Sequence, residues 1–79
     1  MTVILAVGTY GSDDPTRAAL PMITAQGALD SGNQAQVAFL GEATYLLRPG
    51  LADQVVAVAF GNVGEHMRAL ADRGVPFFV

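Results

Sequence analysis

Five apolar residues in succession, Val3-Ile4-Leu5-Ala6-Val7, set the pattern of this chain. A run this short and this apolar reads as a strand covered on both faces, the mark of a parallel sheet. It predicts a strand over about Thr2 to Gly8. Polar residues and glycine follow at once. Gly8 and Gly11 let the backbone leave the strand sharply, Asp13 or Asp14 suits a helix cap, and Pro15 suits the first helical position. From Pro15 to about Asp30, Leu20, Ile23 and Gly27 share one helical face, and Ala19, Met22, Gln26 and Leu29 a neighbouring one. Pro21 has no N–H for the Arg17 carbonyl, which predicts a kink or a later start. Ser31-Gly32-Asn33 is a stop signal.

The pattern then repeats. Gln34 to Leu40 is a second strand with Val37, Ala38, Phe39 and Leu40 at its apolar core, and Gly41 to Leu47 turns into a short helix. The strand–helix–strand unit should cross over right-handed. Residues 49–60 are ambiguous: Pro49-Gly50 marks a turn, and Gln54 to Phe60 is nearly all apolar. Helix to about Val56 and extended chain after it is expected. Gly61 to Gly64 reads as a loop and Glu65 to Arg73 as the last helix, with an Arg68–Asp72 pair on its solvent side. Gly74 caps it, and Val75 to Val79 is the final strand. No repeat or linker divides residues 1–79, so a single α/β domain is expected.

Composition adds one tension. Hydrophobic residues make up 52% of the 79 and charged ones only 14%, although a domain this small has a large surface to solvate. Part of the excess is expected to face another subunit. The net charge of −3, with four Arg and no Lys, argues against nucleic acid and against an anionic membrane as partners. The first apolar run is too short for a membrane span, and no basic stretch precedes it as in a signal peptide. A cytoplasmic location is therefore expected. The chain has no Cys, so it has neither a disulfide nor a Cys-based zinc site, and nothing in it asks for a cofactor.

Candidate chemistry sits where the strands end, because open α/β sheets bind ligands at that edge. The Gly8-to-Asp14 loop opens a helix, where backbone N–H groups attract anions. Its glycine spacing matches neither dinucleotide fingerprint nor P-loop, and Asp13 and Asp14 would repel a phosphate; a tight turn with a cap is the competing interpretation. A nucleotide-binding module is correspondingly disfavoured. Glu42 is either a general base or a carboxylate placed for the helix dipole. Ser12 is a nucleophile only with a base beside it, and the single histidine, His66, reads as a surface residue of the last helix. Tyr10 and Tyr45 either line a pocket or pack at its rim. The expected ligand-binding set is Thr9, Tyr10, Gly11, Ser12, Glu42 and Tyr45, with no catalytic residue and no metal ligand.

Three segments carry a resemblance. Gly11-Ser12-Asp13-Asp14-Pro15-Thr16-Arg17 after strand one, Gly41-Glu42-Ala43-Thr44-Tyr45 after strand two, and Gly74-Val75-Pro76-Phe77-Phe78-Val79 together resemble the DsrE/DsrF-like family, including its TusD-type sulfur-relay subunits. The likeness runs over the whole chain. It implies a parallel, flavodoxin-like sheet with helices on both faces, and strand order 2-1-3 with strand one central and Val75 to Val79 beside it. It also implies a homo-oligomer (trimer or hexamer) or assembly with related DsrE-like subunits, and transfer of sulfur as a cysteine persulfide. The family's cysteine lies just past the strand matched by Val75 to Val79. It is absent here, as are the family's C-terminal strands, and a persulfide needs a thiolate sulfur. Two functions follow: a sulfur-relay family domain that is not itself catalytic in this form, or a non-enzymatic oligomeric subunit that binds a small ligand or protein.

Overall fold

The computed structural model describes residues 2–48 and 50–79. The chain forms β1 (Val3–Gly8), α1 (Pro15–Asp30), β2 (Gln34–Phe39), a 3-10 helix at Gly41–Leu47 and another at Ala52–Gln54. Then come β3 (Val56–Ala57), β4 (Gly61–Asn62), α2 (Val63–Asp72) and β5 (Phe77–Phe78). Of the turn expected at Pro49-Gly50, Pro49 lies outside the described residues, and Gly50 has φ +80.

Strands β1, β2 and β5 make a parallel sheet, so the α/β class holds. The expected strand order does not. β2 is the central strand, between β1 and β5, and β1 lies at an edge. The chain returning from α2 settles beside β2 because Val37 N–H donates to the Pro76 carbonyl at 3.1 Å and Phe77 packs its ring 5.7 Å from that of fully buried Phe39. Register aligns Val3 with Gln34 through Gly8 with Phe39, and Val37 with Phe77.

The expectation of helices on both faces is also corrected. Val37 and Phe39 are buried in one core cluster with Ala18, Ala19, Met22 and Ala25 of α1 and Val63 and Leu70 of α2, and Ala6, in register with Val37, is buried on the same side. α1 and α2 therefore share one face. Strand side chains alternate between faces, so Val3, Leu5 and Val7 point the other way, and they are exposed. The apolar run that suggested a strand covered twice is covered once.

Both helices close identically. Gly32 and Gly74, at φ +88 and +81, adopt the left-handed conformation that glycine reaches without a Cβ penalty. Gly32 N–H bonds the Leu29 carbonyl and Asn33 N–H the Ala28 carbonyl; Gly74 N–H bonds Ala71 and Val75 N–H bonds Leu70. These are two Schellman caps, and each turns the chain into the next parallel strand. α1 runs from Pro15 straight through Pro21, so the later start expected there does not occur. The proline is buried against β1: a Cβ on Gly8 would lie 2.9 Å from Pro21 Cγ. α2 begins two residues before the expected Glu65 because the Asn62 side chain accepts from Glu65 N–H and donates to the Asp53 carbonyl. Arg68 pairs with Asp53 at 2.7 Å instead of with Asp72. Segment 52–54 is a 3-10 turn, and the extended chain from Val56 pairs with β4 as a separate antiparallel ribbon.

Pro76 shortens β5. Continued two residues back, the register would set Ala35 opposite Val75, and the next ladder bond to Ala35 would need an N–H on Pro76. Val75 N–H is meanwhile bound to Leu70. The strands part there, leaving a cleft of about 320 Å³ lined by Val3, Leu29, Gln34, Gln36, Arg73 and Pro76, among others.

Candidate functional site

The loops after β1 and β2 meet at the C-terminal edge of the sheet, as their positions predict. Leu40 N–H donates to the Gly8 carbonyl at 2.9 Å, which carries the β1–β2 ladder into the loops. Beyond it, Gly11 is buried against the second loop. A Cβ there would lie 2.5 Å from the Glu42 carbonyl oxygen and 3.2 Å from its carbon, so only glycine fits. Gly41, at φ +58, turns the second loop towards Thr9. Gly11 and Glu42, two of the expected site residues, are thus in direct contact.

The two aspartates hold the first loop. Asp13 Oδ1 accepts from Gly11 N–H at 2.7 Å, and Asp14 Oδ1 accepts from Arg17 N–H at 3.1 Å as the cap of α1. This decides between the two interpretations of the helix start. Pro15 has no N–H, and Arg17's is bound by Asp14. A turn with a cap describes this loop better than an anion cradle.

Tyr10 and Tyr45 each carry an arginine. Arg17 Nη1 donates to the Tyr10 hydroxyl at 2.9 Å, with its guanidinium carbon 5.1 Å from the ring centroid. Arg17 Nε also lies 3.5 Å from Asp14 Oδ2. Arg48 lies 5.3 Å from the Tyr45 centroid. Such stacking orders an exposed side chain at modest gain. Arg17 and Arg48 were not among the expected ligand-binding residues. Their signal was the spacing from each tyrosine, one turn along for Tyr45 and Arg48, and it is readable only once the rings are placed.

Thr9, Ser12 and Glu42 are exposed at this edge, and Thr44 Oγ1 donates to the Gly41 carbonyl at 2.8 Å, fixing the second loop. The β3–β4 ribbon borders the site, since Val58 N–H donates to Thr16 Oγ1 at 3.1 Å. The edge therefore offers a shallow polar floor with the hydroxyls of Thr9 and Ser12, carboxylates and two ring-stacked guanidiniums.

His66 is not a free surface residue. Its Nε2 is 2.7 Å from the Phe60 carbonyl, which can only accept, so Nε2 carries the proton. Nδ1 then accepts from Gln26 Nε2 at 3.2 Å. The ring ties α2 to α1 and to the ribbon. Among the described residues, no group of three or more His, Cys, Asp or Glu is placed to hold a metal ion, and no helix is long and apolar enough to cross a membrane. Comparison with protein-family models, curated proteins and solved structures finds no match to this chain.

Proposed function

We propose that this chain is a DsrE/DsrF-like domain related to intracellular sulfur relay, acting in the cytoplasm as a supporting and not a catalytic unit. One observation carries the proposal. The two segments that most resemble the family are 30 residues apart, by 41 minus 11 between their first glycines, yet Gly11 is pressed against Glu42. A contact that excludes any Cβ makes a rigid floor, and a floor of this kind would present Thr9, Tyr10, Ser12 and Tyr45 to a small sulfur-bearing molecule. The sequence contains no cysteine, so it cannot hold the sulfur covalently as a persulfide.

Titration with glutathione persulfide, followed by amide NMR, tests this. Shifts should cluster at Thr9 to Ser12 and Glu42 to Tyr45 and weaken in Ser12→Ala and Glu42→Ala variants. Mass spectrometry should show no covalent gain of sulfur. Shifts located elsewhere, or none at all, would remove the sulfur-relay assignment.

A second possibility, a non-enzymatic oligomeric binding subunit, is favoured by the uncovered apolar face of the sheet. Its partner would be further copies of this chain, as a trimer or hexamer in the manner of the family, or related DsrE-like subunits. With a net charge of −3 and no Lys, nucleic acid and anionic membrane remain disfavoured partners.

A further inference from the structure

We infer that the uncovered face of the sheet is where two copies of this chain associate, sheet against sheet about a two-fold axis. The inference keeps the self-association of the second possibility above, gives it a surface and a two-fold pair in place of the trimer or hexamer, and does not depend on the loop site. Val3, Leu5 and Val7 of β1, Leu40 after β2 and Phe78 of β5 are each 49–54% exposed. Alternation puts all five on the face away from α1 and α2, since Leu40 continues β2 in extended conformation. Gln34, Gln36 and Ala38 share that face between them.

Three physical facts select a second copy as the occupant. Parallel sheets are almost always covered on both sides, and both helices of this chain lie on the same side. The area is also sufficient. Five half-exposed apolar side chains leave roughly 400–500 Å² in water, at the upper end of what a monomer exposes. Pairing hides that area twice, together with the glutamines and Pro76, for roughly 1,200 Å² in all, the lower end of stable interfaces.

Charge is the third. A two-fold contact brings each residue near its own copy or that of a neighbour, so a charge near the axis meets its like. β1, β2 and β5 contain no charged residue, although the chain as a whole carries −3. The strands place only the amides of Gln34 and Gln36 on the face, with Arg73, paired to Asp30, at the cleft beside them, and an amide both donates and accepts, so it can pair with itself. Two such faces can stack about 10 Å apart with strands inclined by roughly 30°.

Analytical ultracentrifugation over a dilution series tests this on the 79-residue chain. The unmodified chain should sediment as a dimer at the concentrated end. Leu5→Glu should weaken dimerisation by roughly a hundredfold, because each dimer would bury two unpaired carboxylates. Far-UV circular dichroism should stay unchanged, since residue 5 is half in water in the single chain. Val58→Glu, on the ribbon and 77% exposed, should leave the dimer intact. As the chain has no Cys, a single introduced thiol gives an independent readout. Gln36→Cys should be joined to its copy by a short bifunctional thiol reagent, and Val58→Cys should not. A monomer at every concentration, or a trimer, overturns the inference. So does a dimer that survives Leu5→Glu, which would mean pairing through a strand edge, or cross-linking at residue 58 in place of residue 36. If Leu5→Glu fails to fold, failure of Gln36→Cys to cross-link is decisive. None of these outcomes alters the persulfide titration, so the loop site is judged separately.

Discussion

The two faces of β1 contain the same kind of residue and meet opposite fates. Ala6 is buried beneath α1 and Gly8 lies under Pro21, while Leu5 and Val7, their immediate neighbours, are half in water. Side-chain chemistry does not explain the difference; if anything, the larger apolar groups are outside. What differs is the partner each face finds. The helix side of β1 narrows from Ile4 to Ala6 and Gly8, where α1 approaches closely, and it becomes large on β2, where Phe39 fills the space out to Phe77. Among the described residues, no helix lies against the other side. Hydrophobicity marks a residue as one that gains from burial, and packing decides whether burial occurs.

Mutation can break or sharpen this contrast. The largest effect is expected at Phe39, whose truncation to Ala should destabilise by ~3–5 kcal/mol. For a domain this small that approaches the whole stability, so urea unfolding should show little native baseline. Gly11→Ala should come next, at ~2–3 kcal/mol, because its Cβ would overlap the Glu42 carbonyl, which is backbone and cannot swing away. Its amide spectrum should change in both loops together. Asp14→Ala removes the α1 cap and should cost ~1 kcal/mol, read as a lower urea midpoint with an unchanged slope. Smallest of all is Leu5→Ala, expected within ~0.5 kcal/mol when measured dilute. A cost at Leu5 comparable with that at Phe39 under those conditions would mean that the outer face is covered within the single chain, and the contrast would collapse.

Most of the local structure was legible in the residues. Both helix stops follow from Gly32 and Gly74, and an aspartate cap from Asp13-Asp14-Pro15, with the structure choosing Asp14. The meeting of the two loops was also legible, because parallel strands place their C-terminal ends along one edge. Arg17 and Arg48 were not, since a guanidinium finds its ring only when the backbone has turned. The partners of His66 were not legible for a related reason: Gln26 and the Phe60 carbonyl lie on other elements, one of them 40 residues away. Asp53 drew Arg68 away from Asp72 in the same way.

By itself the sequence determined the α/β class, the parallel strands, the turn chemistry and a cysteine-free edge that cannot carry a persulfide. Those properties depend on side-chain periodicity, on φ preferences and on residue identity, all of which are local. Tertiary structure alone decided that β2 is central, that both helices lie on one face, and that Pro76 opens a cleft beside Ala35. These are choices between partners, and they were settled by the Phe39–Phe77 contact, by the shared core of α1 and α2, and by the missing N–H at Pro76.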